Sequence, residues 1–329
     1  LHVPYTDQTA NILSRKALAK TKKGVRIINC ARGGLVDEEA LADALKSGHV
    51  AGAGFDVFKV EPATENPLFG LPNVVVTPHL GAATTEAQEN VALQVAEQMS
   101  DYLLTGAVSN ALNMPSVTAD EATVMGPWIT LAGHLGAFIG QMTDEPIKAI
   151  NILYDGQVSQ MNLSALNCAV VAGIMKRANP DVNMVSAPVV AREKGIQIST
   201  TNQDKSGVFD GYVKVTVVTA KRERSIAGTV FSDGKPRFIQ IKGINIDAEI
   251  GAHMLYTTNE DVHGIIGALG QTMGTNGVNI ANFTLGRSAA KGEAIALLYI
   301  DGPVPETALK QLQDTGLFTQ VKELEFDVA

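Results

Sequence analysis

The sequence predicts an α/β protein in three parts: βα units around a parallel sheet, an α+β stretch with an antiparallel sheet, and a closing βαββαβ unit. Three observations predict it. Up to about residue 110, short β-rich apolar runs alternate with amphipathic helical patterns, as in a parallel sheet with crossover helices. The run Asn110-Ala-Leu-Asn-Met-Pro115-Ser-Val breaks that pattern and marks a boundary. From His253 the patterns read strand, helix, strand, strand, helix, strand. The expected domains are residues 1–112, 113–251 and 252–329.

In the first part, Val25-Arg-Ile-Ile-Asn29, Val50 to Val57 and Asn73-Val-Val-Val-Thr77 read as strands, each apolar or small enough to be covered on both faces. Asp37 is an N-cap with Glu38 and Glu39 in the first turn and Gly48 as the stop, which gives a helix over about 38–47. A second helix opens with the capping box Thr85-Glu-Ala-Gln88, carries Val91, Val95 and Met99 at i+4 spacing, and ends near Gly106.

The middle part shows a strand from Ile147 to Tyr154, a helix from Leu163 to Lys176, and alternating stretches at Tyr212 to Thr219 and Phe238 to Ile246. The last part shows strands at Met254 to Thr257, Ile280 to Leu285, Ala294 to Ile300 and Phe318 to Phe326. Helices are expected at Gly264 to Met273 and Pro305 to Gln313.

Bulk properties narrow the function. A chain of 329 residues with 45% hydrophobic residues exceeds one core and reads as two or three domains. The formal charge of -8, without basic runs, excludes a nucleic-acid footprint. Cys30 and Cys168 are too few for a disulfide framework and lie in no metal-ligand spacing, so both read as reduced thiols, Cys30 as a packing residue, and no metal is expected. No apolar run reaches the roughly 20 residues needed to span a bilayer, and no secretory pattern opens the chain. A cytoplasmic protein without a membrane partner is expected. Leu1-His-Val-Pro4 reads as a strand end entering a loop, so further chain is expected before it.

Three strands of the first part end in unusual polar residues: Asn29-Cys-Ala-Arg32-Gly-Gly34, Asp56-Val-Phe-Lys-Val-Glu61-Pro62 and Pro78-His79-Leu-Gly81-Ala82. In open α/β sheets ligands bind at the carboxyl ends of strands. Oxidation of a 2-hydroxy acid needs a cation for the carboxylate, a base for the hydroxyl proton and a hydride acceptor. Arg32 suits the first task through its planar fork, His79 the second because an unperturbed imidazole exchanges its proton near working pH, and NAD the third. Glu61 would orient His79 by bonding its far ring nitrogen, and Gly33 and Gly34 would let backbone approach the ligand.

These three blocks, NCARGGLVDEEAL, GAGFDVFKVEP and VVVTPHLGAAT, resemble the catalytic blocks of the D-2-hydroxyacid dehydrogenase family in order and spacing. The resemblance implies the C-terminal part of a Rossmann-like NAD-binding domain over the first 110 residues or so. It implies Arg32, Glu61 and His79 as the catalytic set, with Cys30, Ala31, Arg32, Asp56, His79, Gly81 and Ala82 lining the NAD site and Val3 touching it through backbone. The chain departs from the family in having no GxGxxG after a strand and no acid for the adenosine ribose. A chain lacking these is expected to bind NAD poorly and turn over little.

The last part, with Asn259-Glu-Asp261-Val-His-Gly264 and Gly277-Val-Asn279-Ile280, resembles an ACT domain. Asn259 and Asp261 are placed in the loop after its first strand and Asn279 at the start of the second strand beside it. The middle part, with Asn151-Ile-Leu-Tyr-Asp-Gly156, Ala187-Pro188 and Ala191-Arg-Glu-Lys-Gly195, resembles the intervening allosteric substrate-binding domain of the family's longer members. A basic cluster at Lys235, Arg237 and Lys242 there suits an anion.

This domain order resembles the serine-regulated branch of the family. It implies NAD-dependent oxidation of 3-phospho-D-glycerate to 3-phosphohydroxypyruvate, the entry to serine synthesis, in a homodimer or homotetramer. L-serine would contact Asn259, Asp261 and Asn279 across a subunit interface. Two alternatives stay open. One is a family member acting on glyoxylate, hydroxypyruvate or 2-oxoglutarate; the other is a non-catalytic piece that binds serine or an anion and drives oligomerisation.

Overall fold

The short helix α1 (Arg15–Leu18) leads into β1 (Val25–Asn29), α2 (Glu38–Lys46), β2 (Val50–Phe55), β3 (Val74–Val76) and α3 (Thr85–Thr105). The three strands form a parallel sheet in the order β1-β2-β3. The computed structural model describes residues 1–117, 119–205 and 207–328, divided into one unit from Leu1 to Met99 and a second from Ser100 onward.

In the first unit the local signals act as read. The Asp37 side chain accepts from the Ala40 N–H and caps α2. Leu41 and Leu45 on that helix are buried against Val50, Phe55 and Leu68. Two expectations need correction. The α3 cap is Thr84, whose hydroxyl accepts from the Ala87 N–H, while the Gln88 amide donates to the Ala82 carbonyl; the reciprocal box expected at Thr85 does not form, because the cap falls on the adjacent threonine and leaves Ala87 at the third position. The strands are not covered on both faces: Ile28 is 58% and Val75 71% exposed. The helices α1 and α2 fill one side of the sheet only, and Val91, Val95 and Met99 of α3 are likewise exposed.

Past the end of α3, the second unit continues with α4 (Ala119–Gln141), a helix that the sequence patterns do not reveal. β4 (Ile147–Gly156), α5 (Leu163–Lys176), α6 (Ala187–Glu193), β5 (Gln197–Gln203), β6 (Gly211–Thr219), β7 (Glu223–Val230), β8 (Pro236–Ile241) and β9 (Ile244–Glu249) follow. The strands make a six-stranded sheet, β5-β4-β6-β7-β8-β9, antiparallel except for the β4–β5 pair. The stretch from Phe238 to Ile246, expected as one strand, is two. Lys242 (φ 52°) and Gly243 (φ 80°) turn the chain back with both central residues left-handed, as a tight hairpin requires.

α4 and α5 pack backbone to backbone. A Cβ on Gly136 would sit 2.2 Å from the Val170 carbonyl oxygen, and one on Gly173 would sit 2.3 Å from that of Gly133. Contrary to the sequence expectation, the stretch Glu121–Gln141 is long and apolar enough to cross a membrane by length and composition. Its Leu131, Leu135, Phe138 and Ile139 are buried in the core of this unit.

The chain closes with β10 (His253–Glu260), α7 (Ile265–Thr275), β11 (Ile280–Arg287), β12 (Glu293–Ile300), α8 (Glu306–Asp314) and β13 (Phe318–Glu325). The sheet order β11-β12-β10-β13, antiparallel throughout, is the ferredoxin-like arrangement. Leu255, Leu298 and Ile300 face α7 and α8. On the opposite face Met254, Tyr256, Leu297 and Leu324 join the core around Phe138 and Phe238. The rings of Phe138 and Tyr256 meet edge-on with centroids 5.5 Å apart. The change of pattern near Gly251 is therefore a change of sheet within one shared core.

Candidate active site

Two of the three parallel strands, β1 and β2, end in a side chain that orders a following loop. After β1, Asn29 is buried (1% exposed); its amide donates to the Arg32 carbonyl at 3.0 Å and its oxygen accepts from the Ala31 N–H at 3.2 Å. This Asx-type turn carries Cys30, Ala31 and Arg32. Asn29 heads the first of the strand-end blocks in the sequence but is given no role there; an Asn closing an apolar strand is the available signal.

After β2, Asp56 is buried, with its oxygens accepting from the Thr77 hydroxyl (2.5 Å), the Leu80 N–H (2.7 Å) and the Gly81 N–H (3.0 Å). Burial works to raise its pKa, but these donors outweigh it and hold the carboxyl below its usual range. Asp56 thus grips the loop after β3 rather than facing open space. That loop places His79 at φ 59°, a left-handed backbone uncommon for a non-glycine residue.

His79 Nδ1 lies 2.7 Å from Glu61 Oε2, and Glu61 Oε1 accepts from the Phe58 N–H at 2.8 Å. The hydrogen bond from His79, and then that from Phe58, hold the Glu61 carboxyl below the ordinary glutamate range. An ionised carboxylate only accepts, so it places the imidazole proton on Nδ1 and leaves Nε2 with a lone pair. Beside this pair lies a cavity of about 500 Å³ lined by Phe58, Glu61, Pro62, Phe69, Thr77 and His79, among others. Its apolar wall, where Phe58 and Phe69 meet edge-on at 5.4 Å, was not foreseen from the sequence.

The structure brings Glu61 and His79 together as expected and leaves Arg32 outside the lining. Arg32 is exposed and its guanidinium folds back onto the Ala31 carbonyl at 2.7 Å. Cys30 is also exposed, so it does not pack as expected, because its side chain alternates away from the buried Asn29. Gly33 serves packing rather than ligand approach: a Cβ there would fall 1.8 Å from the Phe58 carbonyl oxygen. Val3 and Ala31 are half-buried against the core of this unit, while Gly81 and Ala82 lie in the exposed His79 loop.

In the second unit, two of the three residues of the basic cluster, Arg237 and Lys242, are ion-paired, while Lys235 is exposed. Arg237 lies 3.2 Å from Glu249 and stacks 4.9 Å over the Phe231 ring, and Lys242 pairs with Glu293. Asn259 is not in a loop but within β10, 3% exposed, with its Oδ1 lacking a hydrogen-bond partner. Asp261 follows it, bonded to Arg287 at 2.9 Å and to the Lys291 N–H at 3.1 Å. Asn279 bonds Asp301 at the other end of the sheet. Both β10 and β11 run antiparallel to β12, so the start of β11 lies level with His253, not with Asn259. The expectation that Asn279 stands beside Asn259 within one chain is therefore corrected.

Residues 1–81 match the D-isomer specific 2-hydroxyacid dehydrogenase, NAD binding domain, so this stretch is similar to that family of dehydrogenases. Residues 124–242 match the D-3-phosphoglycerate dehydrogenase intervening domain. The chain is 38% identical to the D-3-phosphoglycerate dehydrogenase of Bacillus subtilis over 98% of its own length and 62% of that protein's. It is 34% identical to that of Methanocaldococcus jannaschii over 95% of its own length and 60% of the relative's. The chain thus spans about three fifths of the length of these relatives. Among solved structures it resembles a glyoxylate reductase from Paecilomyes thermophila, 39% identical over 33% of each chain, with a TM-score of 0.30.

Proposed function

We propose that this protein oxidises 3-phospho-D-glycerate to 3-phosphohydroxypyruvate with NAD, acting in the cytoplasm. The observation that carries the reading is the Glu61–His79 pair at the mouth of a cavity beyond the carboxyl ends of a parallel sheet. The match to the phosphoglycerate dehydrogenase intervening domain favours this substrate over glyoxylate or hydroxypyruvate.

The residues present fit the reacting end of the cofactor: Gly81 and Ala82 with backbone at the cavity's loop, His79 with a free Nε2, and Arg32 nearby in sequence order after β1. Bound NAD would supply the hydride acceptor. His79 Nε2 takes the substrate hydroxyl proton as the C2–H bond breaks and the carbonyl forms, and it returns that proton in the reverse direction. Glu61 holds the ring and stabilises the imidazolium. Arg32, once its guanidinium swings off the Ala31 carbonyl, is the cation for the substrate carboxylate.

The same proposal includes L-serine as an effector at Asn259, Asp261 and Asn279. Because Asn279 lies at the opposite end of the sheet from the other two, a serine touching all three must lie between two copies related by a two-fold axis, which brings opposite ends together. The buried, unpartnered Asn259 Oδ1 supports a polar ligand there.

The test is NADH formation from 3-phospho-D-glycerate by the full-length protein, with and without L-serine, for the wild type, His79→Gln and Asn279→Ala. A rate abolished by the first substitution and freed from serine by the second supports the proposal. Turnover on glyoxylate but not on 3-phospho-D-glycerate refutes the substrate, and a rate indifferent to serine removes the effector.

A further inference from the structure

We propose that the ferredoxin-like domain binds one divalent transition-metal ion, of the zinc class, between His253, Glu323 and Glu325. The ligand atoms of these three side chains lie within 4.8 Å of one another. Strand register puts them there. His253 of β10 stands directly opposite Glu325 of β13, and Leu255 stands opposite Glu323. Side chains two apart on a strand share a face, so the imidazole and both carboxylates project from the same side of the sheet.

Two further observations point to a cation. The Nδ1 of His253 is buried without a hydrogen-bond partner, a costly state for a polar atom. The two glutamates are neighbours on an edge strand, and among the described residues neither is ion-paired with a lysine or arginine. Glu323 spends one oxygen on the Val304 N–H at 2.8 Å, which fixes its carboxylate and leaves the other oxygen available.

One imidazole and two carboxylates suit a borderline metal. An ion about 2 Å from each donor draws them to about 3.3 Å apart, within reach of small side-chain rotations, and leaves a fourth position for water. No motif along the chain signals the site, because its ligands come from two strands far apart in sequence. The ion would clip the edge strand β13 to β10, next to the loop that leads into α8.

The test uses Co²⁺ as a spectroscopic probe and Zn²⁺ as its competitor, on the whole chain in a Cys30→Ser background so that the exposed thiol contributes nothing. The expected result is a visible absorption band that saturates at one equivalent of Co²⁺ and is displaced by Zn²⁺. His253→Ala should abolish the band. Glu325→Gln should weaken binding at least as much as the roughly 10–100-fold typical of losing an outer-shell partner. Zn²⁺ should raise the melting temperature of the parent but not of His253→Ala. Should His253→Ala fail to fold, the exposed Glu325→Gln decides alone. Absence of saturable binding, or binding of equal affinity in the variants, overturns the proposal.

Discussion

The substitution Glu61→Gln keeps the shape of the side chain but reverses the logic of the site. The Phe58 N–H can only donate, at 2.8 Å, so the carbonyl oxygen of the new amide must stay on that side. The amide NH₂ then faces His79 Nδ1, where the carboxylate oxygen now lies at 2.7 Å. A donor facing Nδ1 forces the neutral ring to offer its lone pair there and to carry its proton on Nε2, which removes the base from the atom that needs it. General-base catalysis contributes about 10²–10⁴-fold, and the comparable Asp→Asn change in a serine-protease triad costs about 10⁴-fold. The expected fall in kcat is therefore about 10²–10⁴-fold, with KM changed little because Glu61 would not touch the substrate. Two measurements check this: steady-state turnover of 3-phospho-D-glycerate, and ¹⁵N chemical shifts of the His79 ring, which report the tautomer without any turnover. A variant within about threefold of the wild type in kcat, or an unchanged tautomer, would refute the reasoning.

Glu61 and Asp56 both have depressed pKa values when folded, so the stability each contributes is complete above its unfolded value and is lost as pH falls through the folded one. Carboxyl ¹³C titration should give midpoints below about 4.3 for Glu61 and below about 3.9 for Asp56; a midpoint at or above either value contradicts the assigned hydrogen bonds. Arg32→Lys should raise KM for the substrate far more than it lowers kcat, since a point charge replaces a bidentate fork; a selective loss of kcat would place Arg32 on the reacting atoms instead. In α4, Gly136→Ala should lower the unfolding free energy measured by urea titration by the roughly 1–3 kcal/mol of overpacking, because its Cβ would meet the Val170 carbonyl oxygen at 2.2 Å. Gly126→Ala, with nothing within 4 Å, should raise stability by up to about 1 kcal/mol. Shifts of the same sign in the two variants would show that the α4–α5 contact does not set the glycine pattern.

What was legible in the sequence was whatever local chemistry settles. Asp37 caps α2, Gly48 stops it at φ 72°, and the βαββαβ order of the closing part appears as read, because each depends on a few neighbouring residues. The longest helix among the described residues, α4, is not legible for the opposite reason. Gly126, Pro127, Gly133, Gly136 and Gly140 look like breakers along the chain, yet Gly133, Gly136 and Gly140 are where α4 approaches the backbone of α5. Their meaning lies on a second helix that periodicity cannot point to. The position of Asn279 is not legible because a pattern of strands does not reveal their relative direction, and β10 and β11 run the same way across β12.

The site divides along the same line. Glu61 and His79 could be named from sequence because each follows a strand end in a recognisable block, but how the pair is held could not. His79 sits on an exposed loop, with 51% of its side chain accessible, where exposed loops are ordinarily too mobile to aim a base. Asp56 resolves this by reaching from the neighbouring strand end to take two consecutive N–H groups, of Leu80 and Gly81, together with the Thr77 hydroxyl. Those contacts flank His79 on both sides and fix its left-handed backbone, while Glu61 fixes its ring. One carboxylate therefore orders the backbone and the other the tautomer. Only the first is buried, because loop geometry must survive without ligand, whereas the second has to work at the edge of an open cavity.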